Sequence, residues 1–483
     1  MPEPIKKTIP WFLILAVFGL TVGFGMNFYS GVKAASKTSQ VVVGNAAPSF
    51  VGNPYEDPTS YDTSPTNTTT TLTFKGTGDD SNGEDYYLAI CKENSVNPTN
   101  GGAPTCGGAG AWCISSATTD NTEASCTYEV KDADAESNAW YAFVCDGNGT
   151  DAKCSSASQG SGDSGSPFKV NHPPSFSAVT DNPSADPGSN VTWTATASDG
   201  DTDSSADTVS LYVCDSSGFT GGASPACTGS ELCSQTGQAS DPSCSYTIPT
   251  PKDDDASPYD AYVYVVDNHG FQASGGSQGT NSKYTVNNVA PSVSSVKLNN
   301  EANIDLTEST TANIYITAIL SDNNGDADIS DATSSAYRTG IGYWSCTSQD
   351  DNNCYYNISY SSLESADGDT NRNATFTVSF WYHADPTGTE TPWNSEHWEA
   401  GVGVSDDNSA WGKATSTAVV EMNDNLAMSL IEPTGNLDFG SLSADNDTGT
   451  DYVTSTVAAT GNVALDTNMS GEGLIRDGGS EMI

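Results

Sequence analysis

Chemistry in this 483-residue chain has to come mainly from carboxylates, thiols and hydroxyls, because it holds four histidines and 16 Lys plus Arg against 61 Asp plus Glu. The carboxylates cluster. Asp79, Asp80 and Asp85 share one loop, Asp199, Asp201, Asp203 and Asp207 a second, and Asp322, Asp326 and Asp328 a third. Asp146, Asp267 and Asp406 each end an aromatic-rich segment farther along. Ca²⁺ takes about six to eight oxygens at about 2.3–2.6 Å, so two such loops meeting at one end of a domain could supply several. These Asp residues are therefore the candidate calcium ligands, and no other cofactor is expected. The competing reading is that solvated Asp residues cap turns, since no complete DxDxDG loop is present.

Other chemistry is weaker. Gly162-Asp163-Ser164-Gly165-Ser166-Pro167 matches the nucleophile segment of chymotrypsin-like serine proteases, which place the base His and the Asp before the serine. No histidine precedes Ser164; the four are His172, His269, His383 and His397. A surface turn explains the segment, and no catalytic residue is assigned. Trp381, Tyr382, Trp393 and Trp398 gather with His383, His397, Asp385, Glu396 and Glu399. That group could form a sugar platform or metal site, but anchoring of a sheet crossover is the simpler reading. Sequons at Asn67, Asn148, Asn190, Asn357, Asn373, Asn446 and Asn468 are what so much Asn, Ser and Thr produces by chance. The net charge of −45 repels phosphate backbones and argues against nucleic acid.

The N-terminus reads as an address. Lys6 and Lys7 precede an apolar run from Ile9 to Met26, and small residues follow at Ala34 and Ala35. Residues 1–36 are expected to be a signal peptide or an uncleaved membrane anchor, a hydrophobic helix in either case, followed by a linker over 37–47. Positive charge stays inside, so the acidic bulk lies outside the cytoplasm. Twelve cysteines fit that compartment. Cys91, Cys106, Cys113, Cys126, Cys145 and Cys154 form one group, Cys214, Cys227, Cys233 and Cys244 a second, and Cys346 and Cys354 a third. Each group is even, as bridges closed within domains require.

The elements that position these residues repeat. Asn45-Ala46-Ala47-Pro48-Ser49-Phe50 recurs as Asn171-His172-Pro173-Pro174-Ser175-Phe176 and as Asn287-Asn288-Val289-Ala290-Pro291-Ser292-Val293, a period of roughly 120 residues. Each junction is followed by an alternating strand (Thr71–Phe74, Val191–Ala195, Ile314–Ala318), an Asp-rich loop, and a strand ending in Cys91, Cys214 or Cys346. An aromatic strand ending in Asp follows: Trp140–Asp146, Tyr262–Asp267, Trp398–Asp406. With 46 Gly and 23 Pro, long helices are disfavoured, while 21 Tyr, 14 Phe and 9 Trp suffice for several small cores. Short period-2 runs between turn residues predict an all-β chain of antiparallel sandwiches.

Pro187-Gly188-Ser189-Asn190-Val191-Thr192-Trp193 through Asp199, and Val265-Val266-Asp267-Asn268-His269-Gly270, resemble the immunoglobulin-like and cadherin-like repeats of prokaryotic cell-surface proteins. The antibody-type inter-sheet Cys pair around a buried Trp is absent, so the likeness is to the broad superfamily. It implies tandem immunoglobulin-like domains at 48–171, 172–288 and 289–424, with a partial C-terminal β domain over 425–483. That tail carries Leu437-Asp438-Phe439-Gly440, Val453–Val457 and Thr460–Leu465, too little for another sandwich. A truncated chain or a half-domain completed by a partner is expected. Comparison of the repeats predicts nested bridges: Cys91–Cys126, Cys214–Cys244 and Cys346–Cys354 outside, Cys106–Cys113 and Cys227–Cys233 inside, and Cys145–Cys154 apart.

Together these readings describe a non-enzymatic, extracellular or cell-surface protein, a semi-rigid adhesive or structural array. Its partners would be envelope components, other surface proteins or glycans, and the membrane itself if the N-terminal segment stays uncleaved. The alternative is the accessory region of an extracellular carbohydrate-active or proteolytic enzyme whose catalytic domain lies elsewhere.

Overall fold

A computed structural model describes residues 44–202, 206–432 and 455–466, with the backbone of two further short strands at Ile475–Arg476 and Ser480–Glu481. The expected N-terminal hydrophobic helix, Leu437–Gly440 and Asp203 lie outside the described residues. Among the described residues no helix is long and apolar enough to cross a membrane. Helical structure there is confined to three 3-10 turns, and strands and loops make up the rest.

Alternation builds the first unit. In Thr71–Asp79, Leu72 and Phe74 are buried while Thr71, Thr73 and Lys75 are not, so one face enters the core. This strand pairs with Ser49–Phe50, Tyr55–Asp57 and Glu123–Glu129. The facing sheet runs Tyr141–Asp146, Tyr86–Cys91, Ala111–Ile114. Between them pack Leu72, Phe74, Leu88, Ile90, Trp140 and Phe168, with Phe74 meeting the Trp140 ring edge-on at 5.4 Å.

The second unit repeats the plan. Ser175–Asp181, Asn190–Ser198 and Ser243–Thr247 form one sheet, and Glu231–Gln238, Val209–Cys214, Tyr262–Asp267 and Thr280–Asn281 the other. Val191, Trp193, Leu211, Val263 and Val265 fill the space between. In the third unit seven strands hydrogen-bond in one continuous path. Cys354–Leu363 makes this possible: its first half pairs with Ile329–Arg338 and its second half with Asn371–Trp381. Within the first half Asn357 adopts φ 55°, a left-handed kink that Asn tolerates, at the bulge between Tyr355 and Ile358, and the strand changes partner after Ser359.

Two expectations are corrected here. Tyr343-Trp344-Ser345-Cys346 is not a strand; the Ile341–Cys346 segment turns, with Cys346 N–H donating to the Gly342 carbonyl. The strand of that position is Ile329–Arg338. Gly340 and Gly342 (φ 73°) release the chain there, and the Tyr343 ring lies over Gly401, where any Cβ would collide with it at 2.2 Å.

The bridges are sequential, not nested: Cys91–Cys106, Cys113–Cys126, Cys145–Cys154, Cys214–Cys227, Cys233–Cys244 and Cys346–Cys354. The expected pairs Cys91–Cys126, Cys106–Cys113, Cys214–Cys244 and Cys227–Cys233 do not form. The pleat explains why. Ile90 stands opposite Cys113 and shares its inward face, so Cys91, one residue on, points outward. Cys113 therefore meets Cys126 across the core, while Cys91 joins Cys106 and Phe143 in an outer cluster. Val213 opposite Cys233 imposes the same outcome on Cys214. Cys145–Cys154 and Cys346–Cys354 pair as expected.

In the tail, Met428–Glu432 pairs with Thr456–Ala459. Residues 460–466 form bends and loop and dock on the third unit. Thr460 Oγ1 donates to Glu308 Oε1 at 2.9 Å, and Asn462 Nδ2 to the Asn423 carbonyl at 3.1 Å.

Candidate functional site

The loop after the second long strand of each unit forms an Asx turn, in which a short carboxylate mimics a backbone acceptor. Asp80 Oδ1 accepts from Asn82 N–H at 2.7 Å, Asp199 Oδ1 from Asp201 N–H at 2.9 Å, and Asp322 Oδ1 from Asn324 N–H at 2.8 Å. In all three the other oxygen, Oδ2, is buried and has no hydrogen-bond partner.

Against each turn comes the Asp that ends the aromatic strand. Asp146 Oδ1 accepts from Lys153 N–H at 3.1 Å, Asp267 Oδ1 from His269 and Phe271 N–H at 2.8 Å each, and Asp406 Oδ1 from Ala410 N–H at 2.6 Å. Their second oxygens take a bond from a junction asparagine: Asn45 Nδ2 to Asp146 at 2.8 Å, Asn171 to Asp267 at 2.8 Å, Asn288 to Asp406 at 3.1 Å. These asparagines were not singled out in the sequence. Their recurrence at the same step of a repeated junction was the available signal.

Three clusters result, each with carboxylate oxygens within 4.8 Å of one another: Asp80, Glu84 and Asp146; Asp199, Asp201 and Asp207; Asp322, Asp328 and Asp406. Several candidates fall elsewhere. Asp79 and Asp85 are exposed, Asp79 accepting from Asn121 Nδ2, and Glu84 takes the place given to Asp85. Asp267 is buried beside the second cluster, its oxygens occupied as above. Asp326 belongs to a separate group with Asp367 and Asp369 and accepts from Asp367 N–H at 2.7 Å and Gly368 N–H at 3.2 Å.

Burial and crowding set the electrostatics. Burial raises Asp80, its Asn82 N–H bond opposes the rise, and the like charge of Asp146, Asp120 and Asp79 adds to it. Asp199 is pushed up to about 6 by burial, with Asp201, Asp267 and Asp207 contributing like charge. Asp322 also reaches about 6, by burial and then the charges of Asp406, Asp254 and Asp407. Asp328 rises to about 8 through burial, the close approach of Asp407 and the charges of Asp322 and Asp254. In the second cluster His172 Nδ1 lies 2.8 Å from Asp201 Oδ1 and His269 Nε2 3.4 Å from Asp207 Oδ2.

The junctions are also where units touch. His172 Nε2 lies 3.0 Å from the Asp134 carbonyl of the first unit, and Thr202 N–H donates to Glu136 there at 2.9 Å. Asn324 Nδ2 donates to the carbonyls of Lys252 and Asn287, and Asn408 Nδ2 to Asp254 Oδ2 at 3.1 Å.

The aromatic group of the third unit encloses a cation. Arg338 Nε lies 3.2 Å from Asp385 Oδ2, its Nη1 donates to Glu396 Oε2 at 2.5 Å, and its guanidinium sits 4.8 Å from the Trp393 ring centre. Fully buried Trp398 donates Nε1–H to the Asp385 carbonyl at 3.0 Å. At Gly162–Ser164 the chain makes a 3-10 turn, and Ser166 Oγ accepts from Trp140 N–H at 2.8 Å.

No protein-family model matches the chain, and no curated protein matches it. Among solved structures it is similar to the mouse nectin-like molecule 4 full ectodomain (Ig1–Ig3), at 11% identity over 74% of this chain and 98% of that one, with a TM-score of 0.26. It is similar to an ICAM-5 D1–D4 ectodomain fragment at 9% identity over 79% of each chain, TM-score 0.23. The Yersinia pseudotuberculosis adhesin InvE matches at 12% identity over 50% of this chain and 58% of that one, TM-score 0.19.

Proposed function

We propose that this chain is a non-enzymatic, exported array of immunoglobulin-like sandwich units that works by spacing and contact outside the cytoplasm. The observation that carries the reading is the asparagine lock made three times over, Asn45 to Asp146, Asn171 to Asp267 and Asn288 to Asp406. The Asn171 and Asn288 locks cross from one unit to the next and would hold successive units at set angles, as a spacer needs, while Asn45 fastens the chain entering the first unit. Six disulfides and no free cysteine among the described residues suit an oxidising compartment. Contacts would be made with surface proteins, glycans or envelope polymers.

Negative-stain micrographs of the full chain test this. Three beads in line with a narrow spread of angles are expected, and Asn171→Ala should widen the spread at the first joint. Turnover of peptide or glycan substrates by the purified chain would contradict the non-enzymatic reading.

A further inference from the structure

The Asx turns use only one oxygen of Asp80, Asp199 and Asp322, and nothing in a turn requires the second oxygen to be sealed from water. Yet Asp80 is 2% exposed and Asp322 1% exposed, each with Oδ2 buried and partnerless. A buried carboxylate oxygen without a partner is strongly unfavourable unless a counter-charge reaches it. Further carboxylates are instead brought to it. Glu84 Oε2 and Asp328 Oδ2 are likewise buried without partners. Lys75 pairs with Asp57, Lys283 with Asp260 and Arg338 with Asp385 and Glu396, away from the clusters, whereas at the second cluster His172 lies against Asp201 and His269 against Asp207.

Oxygens within 4.8 Å of one another are what ligands around one ion require when each lies about 2.3–2.6 Å from it. We propose that the first and third clusters each bind one divalent cation of the Ca²⁺ class, and that the ion at the third is shared across a joint, with Asp254 of the second unit facing Asp328 and Asp407 of the third. The first and third clusters offer oxygen alone, which suits Ca²⁺ and disfavours Zn²⁺. At the third, the like charge of Asp407 bears on both Asp328 of its own unit and Asp255 of the second, and Asn408 bonds Asp254 at 3.1 Å, so carboxylates of two units crowd together at the joint. The Asp326, Asp367 and Asp369 group is the internal contrast. Both Asp326 oxygens accept backbone N–H bonds, so that group clamps a loop and takes no ion.

The test is calorimetric titration of Ca²⁺ into the full chain after stripping with EDTA, alongside thermal melting. About two ions per chain are expected for the parent and for Asp369→Asn, and about one for Asp322→Asn. Asn preserves the turn through its Oδ1 and removes the repelling charge. Asp322→Asn should therefore melt no lower than the parent in EDTA and gain less from Ca²⁺. If Asp322→Asn does not fold, Asp80→Asn should lose one ion. A stripped parent that takes up no Ca²⁺ at millimolar concentration overturns the proposal. So does unchanged stoichiometry in every folded Asp→Asn cluster variant.

Discussion

Glu56 is fully buried in the first unit, with Oε1 accepting from Ser60 N–H at 2.9 Å and Ser60 Oγ at 2.8 Å while Oε2 has no partner. Burial raises its carboxyl from 4.5 to about 7, the two Ser60 bonds acting against the rise. The folded state thus holds this proton more tightly than the unfolded state does. Its stabilising contribution is complete below about pH 4.5 and is lost as pH climbs through about 7. Glu56→Gln should stabilise the first unit at pH 8 relative to pH 5, by on the order of 3 kcal/mol, read as the difference in melting between parent and variant. No such difference would mean the carboxyl is ionised when folded. At this scale the sequence was legible where a residue's own type determines its behaviour. The Asp pairs of each loop and strand end were visible, as Asp80 and Asp146 show. Glu84 was not separable from Asp85, because which neighbour turns inward depends on the course of the loop.

Strands are the next scale, and alternation decides most of what happens there. It placed Leu72, Phe74, Val191 and Trp193 inward, and their pattern could be read directly. The same rule, applied to Ile90 and Cys91, would have shown that Cys91 and Cys113 face opposite ways; repeat order alone suggested nesting and misled. Non-reducing peptide mapping should recover Cys91 with Cys106 and Cys233 with Cys244, and a Cys91–Cys126 peptide would refute the register. The Cys113–Cys126 and Cys233–Cys244 bridges join facing sheets. Replacing Cys113 and Cys126 together by Ser should therefore cost about 2–4 kcal/mol of stability, measured by denaturant unfolding. The Tyr343–Cys346 segment was misread because its aromatics look strand-like, while the Tyr343 ring covers the bare backbone of Gly401 and Trp344 stands exposed.

Across the whole molecule, the repeats announced tandem units, since a period of this length leaves each unit to bury its own core. What joins one unit to the next was hidden. Asn171 donates at once to Asn67 Oδ1 at 2.9 Å and to Asp267 Oδ2 at 2.8 Å, linking residues 104 and 96 positions away. No local pattern encodes such a meeting. Asn171→Ala removes both donations from a fully buried site, and a loss of about 1–3 kcal/mol is expected in thermal melting. Small-angle scattering of the full chain tests the tandem arrangement most directly. One compact globule of 483 residues would have a radius of gyration of about 23 Å. Units locked end to end predict a value well above that, with a second distance peak for neighbouring units; a value at the globular figure with a single peak would contradict the account.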